Sequence, residues 1–285
     1  MTLEAPKEAL ARIIDTALAE DLGERGDITT TSIVPAGTPM AGVIRSREAG
    51  RIAGVDAVRL VLSRLPEPAK ATIVTPDGTD VAAGGTVARL TGSARTLLTG
   101  ERVILNLLGR LSGVATATAA VVRGVEGTGA AIKDTRKTTP GLRLLEKYAV
   151  ACGGGVNHRS GLYDAVLIKD NHIGVAGSIT AAVARARSSL GERFPIQVEV
   201  DTLEQLDEAI ACGVTSVLLD NMDPGQLRRA VERVDRGCHL EASGGITLAN
   251  VRAVAETGVD SISLGWLTHS ACSLDFGLDL GSDVA

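Results

Sequence analysis

The stretch that decides the fold is Ile196–Asp220, IQVEVDTLEQLDEAIACGVTSVLLD. It opens on a short apolar run, Ile196 to Val200. A helical pattern follows from Leu203 to Ala211, then a second apolar run, Ser216 to Asp220. Strand, helix and strand at this spacing make a βαβ unit and therefore a parallel sheet. The same rhythm extends both ways from about Gly129. Ala130–Lys133, Ala165–Lys169, His239–Ser243 and Ser261–Gly265 read as further strands. Ile179–Leu190, Gln226–Val234 and Leu248–Thr257 read as the intervening helices. Each strand reads as almost uniformly apolar, as strands buried on both faces do, and this favours a closed barrel over an open sheet. The residues able to do chemistry stand at the strand C-termini: Lys133-Asp134, Lys169-Asp170, Glu199 with Asp201, Asp220, Ser243-Gly244-Gly245 and Leu264-Gly265. A barrel gathers such positions on one rim. No GxGxxG follows a strand, so there is no dinucleotide fingerprint.

Before Gly129 the texture differs. Leu10, Ile13, Ile14, Ala17 and Leu18 repeat at helical spacing. From about Asp27 to Leu90 the chain is rich in Gly, Pro, Thr and Val, with short runs such as Ala41–Arg45 and Ala71–Thr75. Asp77-Gly78 and Gly84-Gly85 punctuate these runs as turns, which predicts a small, mostly β domain. A long helix follows, with Val103, Ile104, Leu107, Leu108 and Leu111 in one stripe and Thr99 as its expected N-cap.

Composition bounds the function. The chain has 285 residues, 45% hydrophobic and only 2% aromatic, with a formal net charge of -5. Few aromatics and an acidic balance argue against nucleic acid as a partner. No apolar run approaches a membrane span, and the acidic, amphipathic N-terminus lacks a signal-peptide core. Cys152, Cys212, Cys238 and Cys272 show no CxxC spacing and read as reduced thiols of a cytoplasmic protein. Cys152 is expected to be a small buried thiol rather than a nucleophile.

Against this acidic background, Lys133–His172 collects Lys133, Arg136, Lys137, Arg143, Lys147, His158, Arg159 and Lys169. Such a concentration points to a pocket for a small polyanion. Arg143 and Lys147 are expected to be ordinary charges on the outer face of a helix from Leu142 to Tyr148. Arg136 and Arg159 suit carboxylates, which a guanidinium binds in bidentate fashion, whereas Lys137 and Lys169 suit phosphates. Glu199 and Asp220, from successive strands, can hold Mg²⁺, which keeps waters and bridges to phosphate oxygens. Asp201 reads instead as an N-cap or surface ion pair. Gly244-Gly245 and Gly265 leave room for a phosphate against backbone N–H groups. These residues describe a magnesium-assisted barrel enzyme acting on carboxylates and phosphates. An aldolase-type barrel with Lys169 as a Schiff-base amine is the rival reading.

Nearly the whole chain resembles the quinolinate phosphoribosyltransferase family. The resemblance is carried by Gly26-Asp-Ile-Thr-Thr, Thr99-Gly-Glu-Arg-Val-Ile-Leu-Asn, Asp134-Thr-Arg-Lys-Thr, Gly153-Gly-Gly-Val-Asn-His-Arg, Leu167-Ile-Lys-Asp-Asn-His, Ser243-Gly-Gly-Ile and Leu264-Gly-Trp-Leu-Thr-His-Ser. It implies an N-terminal open β-sandwich, over residues 1–110, and an incomplete α/β barrel, over 111–270, with a tail, 271–285, packing back on the first domain. It also implies a carboxylating nicotinate-nucleotide diphosphorylase that uses PRPP, quinolinate and Mg²⁺ in de novo NAD biosynthesis.

The resemblance further implies a homodimer in which Arg102 crosses to the partner's quinolinate. Thr135, Arg136, Lys137, His158, Arg159 and Lys169 would line the substrate pocket, with Lys137, Lys169, Glu199 and Asp220 catalytic and Glu199 and Asp220 on the metal. Ser243, Gly244, Gly245, Leu264, Gly265 and Trp266 would form the phosphate loops. Trp266 departs from the small residue more usual there.

Two alternatives share these features. One is a paralogous group associated with molybdenum transport, which tends to lose Asn157 and the Lys169–His172 run, both present here. The other is a non-catalytic binder of anionic nucleotides, for which Glu199 and Asp220 have no use.

Overall fold

The structure, a computed structural model, describes residues 5–281. In chain order its elements are α1 (Lys7–Leu22), α2 (Ile28–Ile33), β1 (Pro39–Ser46), β2 (Gly50–Arg51), α3 (Asp56–Arg64), β3 (Ala69–Ile73), β4 (Asp80–Val81), β5 (Thr86–Ser93) and α4 (Ala94–Gly124). There follow β6 (Ala131–Lys133), α5 (Arg143–Cys152), β7 (Val166–Ile168), α6 (Asp170–Ala176), α7 (Ile179–Leu190), β8 (Ile196–Val200), α8 (Leu203–Ala211), β9 (Ser216–Asp220) and α9 (Pro224–Val234). The last are β10 (His239–Ser243), α10 (Val251–Ala255), β11 (Ser261–Ser263), α11 (Trp266–His269) and β12 (Phe276–Leu280).

These elements form two compact units. The first comprises residues up to 119, 138–154 and from 267 onward; the second comprises 120–137 and 155–266. The long helix α4 runs unbroken through residue 110, where the sequence suggested a division. The place of segment 138–154 in the first unit was not legible from local pattern, because its two joins fall in loops around the Thr-Arg-Lys and Asn-His-Arg clusters.

In the first unit an antiparallel sheet runs in the order β12-β1-β5-β3, with a two-stranded β2-β4 ribbon beside it. The tail strand β12 pairs with β1, Leu280 opposite Gly42 and Phe276 opposite Ser46; residues 282–285 lie outside the described residues. Leu10, Ile14 and Leu18 of α1, Val58 and Val61 of α3, and Leu97, Ile104, Leu108 and Leu111 of α4 join one buried core. The helix α4 begins five residues before the expected cap. Ser93 Oγ accepts the Arg95 N–H at 3.2 Å, while Thr99 donates its hydroxyl to Asp27 Oδ2 at 2.9 Å from within the helix. By length and composition α4 could cross a membrane, contrary to the first reading of its apolar runs, but most of its apolar stretch is buried.

Lys147 is also not an outer-face charge: it is buried, one residue beyond the fully buried Glu146. Glu146 accepts Arg110 Nε at 3.0 Å, the Thr139 N–H at 2.9 Å and the Thr139 hydroxyl at 2.7 Å. Arg110 also donates to the carbonyls of Ala271, at 2.9 Å, and Thr268. One buried ion pair thus joins the 138–154 and C-terminal segments to α4. Cys152 is buried near Asp77 and Tyr148, and desolvation pushes its thiol up to about 12, which rules out a ready thiolate.

In the second unit six parallel strands run β6-β11-β10-β9-β8-β7. Beyond β6, Val156 adds a single parallel bridge to Lys133. Among the described residues no ladder joins β7 to that edge, so the barrel is incomplete. Helix starts follow the expected chemistry. Thr202 and Gln205 form a capping box on α8, and Asp223 and Gln226 form one on α9 with Pro224 in its first turn. Asp201 stands one residue before the cap, its N–H donated to Gln205 Oε1 at 2.7 Å.

The strands are apolar on one face only. Ile132, Ile168, Val198, Val200, Val217, Leu219, Leu240, Ala242 and Ile262 are buried. Lys133, Gln197, Glu199, Glu241 and Ser263 hold alternate positions, and strand alternation turns them to the opposite, inner face. The barrel interior is therefore polar, which overturns the expectation of uniformly apolar strands.

Candidate active site

A cavity of about 330 Å³ opens at the C-terminal ends of the barrel strands. Its wall includes Thr135, Arg136, Lys137, His158, Arg159, Leu167, Lys169, Glu199, Leu218, Asp220, Glu241, Ser243 and Ser263. A larger cavity, about 610 Å³, lies in the first unit against Gly37, Met40 and Gly92, but Glu67 is the single charged side chain on its wall. Charge and convergence, not size, select the barrel cavity.

Two loops supply the cations. Residues 134–137 follow β6, and residues 157–159 follow the Val156 bridge. Asp134, fully buried, ties them together: its carboxylate accepts Asn157 Nδ2 at 2.7 Å and the His158 N–H at 2.8 Å. Thr135 Oγ1 accepts the Lys137 N–H at 3.0 Å, turning the chain so that Arg136 and Lys137 both reach the cavity. Arg159 donates Nη1 to the Ala165 carbonyl at 3.1 Å. Burial and the neighbouring Arg136 charge hold its guanidinium below its usual pKa, the environment of a cation that gains from an incoming anion. His158 Nδ1 accepts the Arg159 N–H at 2.7 Å, which makes Nε2–H the ring's donor. That nitrogen lies 3.1 Å from Gln197 Oε1 and 3.3 Å from Glu241 Oε1.

The acids come from β8, β9 and β10. Glu199 accepts Lys169 Nζ at 2.6 Å, and Asp220 accepts Asn221 Nδ2 at 2.8 Å. With a carboxylate as its partner, Lys169 is not set up as the free amine an aldolase-type barrel requires. Glu241 is fully buried and takes Lys133 Nζ at 2.9 Å, Gln197 Nε2 at 3.2 Å and the Ser263 hydroxyl. Burial works against its charge, but the His158 hydrogen bond, Lys133 and Ser263 outweigh it and keep the carboxyl far below its ordinary range. Sequence reasoning missed Glu241 and Ser263, and it grouped Asp134 with the strand-end residues able to do chemistry although its carboxylate is a strut. For Glu241 the signal was a charged residue in mid-strand, in phase with Ser243 at the strand end.

The remaining expected residues stand apart from the cavity wall. Gly244 has φ +91°, and a Cβ there would lie 2.1 Å from Asn221 Oδ1, so this position excludes any side chain. Gly245 has φ +61°. Leu264 is buried, and its N–H donates to the Lys133 carbonyl at 3.0 Å. Trp266, beside Gly265, donates Nε1–H to the Ile246 carbonyl at 3.0 Å, so the indole staples the two glycine loops to one another. Arg102 lines a different cavity, in the first unit, with Asn106, Ser273 and Asp275.

An α/β barrel whose mouth joins guanidinium and ammonium groups to two strand-end carboxylates defines an enzyme that handles small, multiply charged anions. Residues 27–112 match the N-terminal domain and residues 114–279 the C-terminal domain of quinolinate phosphoribosyl transferase. The chain belongs to this family. It is 47% identical to the carboxylating nicotinate-nucleotide pyrophosphorylase of Mycobacterium leprae, over 96% of this chain and 98% of that protein. It is 45% identical to a probable enzyme of the same name from Bacillus subtilis, over 95% and 93%. The solved nicotinate-nucleotide pyrophosphorylase of Francisella tularensis superposes with a TM-score of 0.93 at 38% identity, covering 98% of each chain.

Proposed function

We propose that this chain transfers the phosphoribosyl group of PRPP to the ring nitrogen of quinolinate. Pyrophosphate and CO₂ leave, and nicotinate mononucleotide remains, which is the carboxylating entry to de novo NAD biosynthesis. The observation that carries this reading is the single cavity uniting Arg136, Lys137, Arg159 and Lys169 with Glu199 and Asp220, in a chain of this family.

Arg136 and Arg159 clamp the two carboxylates and aim the ring nitrogen at the ribose C1. Lys137 meets the negative charge that collects on departing pyrophosphate, while Glu199 and Asp220 face the positive charge that builds on the ribose. Among the described residues no group of three or more His, Cys, Asp or Glu could hold a metal alone. The two hard-oxygen donors Glu199 and Asp220 fit Mg²⁺ completed by water and substrate oxygens. There the ion would neutralise charge on the pyrophosphate. After transfer the pyridinium nitrogen is the electron sink for decarboxylation, so the protein's task is to hold the C2 carboxylate away from water. The reading includes a homodimer with Arg102 supplied across the interface. A cytoplasmic setting is supported by four free cysteines.

The test is an assay of the purified chain with PRPP, Mg²⁺ and either quinolinate or nicotinate, following mononucleotide and CO₂. Turnover with quinolinate and none with nicotinate is expected. A folded protein silent with quinolinate would overturn the reading.

A further inference from the structure

Decarboxylation at C2 leaves an electron pair that must take up a proton. The barrel interior holds a second set of polar groups that substrate binding does not use. Ser263 lines the cavity and donates its hydroxyl to Glu241. Glu241 accepts Lys133 Nζ at 2.9 Å. Lys133 Nζ lies 3.5 Å from His239 Nε2, which also lies 2.9 Å from Ser261 Oγ. His239 is the first residue of β10, whose last residue, Ser243, lines the cavity. Four residues of strand put the two ends roughly 13 Å apart. The His239 side chain is 40% exposed, with Asp260 Oδ2 3.9 Å from its Nδ1. A continuous line of exchangeable protons therefore crosses the barrel from the cavity floor to solvent at the opposite end. Apolar side chains of similar volume would fill this space at equal or lower cost, so stability alone does not account for these buried, paired charges.

We propose that this line delivers the proton that replaces CO₂ at C2, an inference that rests on the transferase reading above. The C2–carboxylate bond breaks, CO₂ departs, and its bonding pair stays on C2. Ser263 gives its hydroxyl proton to that carbon and is recharged through Glu241 from the Lys133 ammonium. Lys133 is reprotonated from His239 Nε2 as His239 takes a proton from water at Nδ1, and the ring then regains its Nε2–H tautomer by proton exchange with solvent. One proton enters and one C–H bond forms. The groups facing His239 are Lys133, Glu241 and Asp260. Burial first, and then the Lys133 charge, hold its ring below the usual imidazole pKa, so it reloads as a neutral acceptor.

His239→Gln tests this in the full-length protein, because the amide keeps polar contact with Ser261 but carries no proton through. Rapid-quench measurements with PRPP, quinolinate and Mg²⁺ would follow pyrophosphate and nicotinate mononucleotide separately. Pyrophosphate should form in the first turnover at the wild-type rate. Nicotinate mononucleotide should form at least about tenfold more slowly, with the carboxylated mononucleotide accumulating, and in His239→Ala, which opens an exposed gap, added imidazole should restore the rate. Unchanged mononucleotide formation would overturn the relay, as would parallel loss of both products without imidazole rescue. A wild-type protein that releases neither product would instead overturn the transferase reading itself. Ser261→Ala, which removes a neighbour of His239 but no member of the line, should leave both rates within about twofold of wild type, and a loss as deep as that of His239→Gln would count against the relay.

Discussion

Arg159 shows how far a single residue could be read before its surroundings were known. Its residue type suggested a carboxylate, and its place beside His158 excluded a plain helix face. The structure adds partial burial, the repulsion from Arg136 and the anchoring bond to the Ala165 carbonyl. Arg159→Ala should lower kcat/KM for quinolinate by about 2–4 kcal/mol, roughly 30- to 1000-fold, because a charge-assisted pair to substrate is lost. Steady-state kinetics of that variant near the wild-type value would remove Arg159 from the clamp. Lys169, Glu199 and Asp220 were singled out because their strands bring them to one rim, and the structure places all three on one cavity wall. Glu241 was not. In sequence it is a mid-strand acid between His239 and Ser243, and only the folded sheet brings its carboxylate within reach of Lys133, Gln197 and Ser263. Asp134 was misjudged in the other direction: it sits at a strand end like the cavity acids, yet its carboxylate is consumed by Asn157 and the His158 N–H.

Among the elements, those with strong local signals matched closely. Ile196–Val200, Leu203–Ala211 and Ser216–Asp220 have the same limits in sequence and structure, because apolar periodicity and capping agree there. Helix α4 was harder. Its first turn, Ala94–Leu98, carries a single residue in phase with the later stripe, the buried Leu97, so Thr99 looked like a cap although Ser93 holds that place. Its middle carries a packing constraint that local pattern cannot express. A Cβ on Gly113 would lie 2.0 Å from the Cys272 carbonyl oxygen, where the C-terminal segment crosses the helix. Gly113→Ala therefore gains helix propensity but must push backbone aside, and overpacking should win by about 1–3 kcal/mol of lost stability. Urea denaturation checks the sign: a midpoint at or above the wild-type value would mean that the segment yields without cost.

For the whole molecule, the order of elements and the return of the tail to the first unit were expected, whereas the membership of segment 138–154 was not, since it joins that unit through long-range contacts such as Arg110–Glu146. The same limit applies to assembly. Arg102 lies in a cavity of its own within the first unit, and no wall residue of the barrel cavity comes from that unit. A site that borrows Arg102 from a partner gives a quantitative expectation. Arg102→Ala and Lys169→Ala chains should each be nearly inactive alone. In a mixed dimer, the site on the Arg102→Ala chain keeps its own Lys169 and receives an intact Arg102 from the other chain, while the second site carries both lesions. Random association makes about half of the dimers mixed, so roughly a quarter of wild-type activity should return on co-refolding. An arginine acting within its own chain leaves both sites of every mixed dimer defective, and activity stays at the level of the separate variants. Size-exclusion chromatography of the co-refolded sample, by showing that dimers have formed, makes the absence of recovery decisive against sharing.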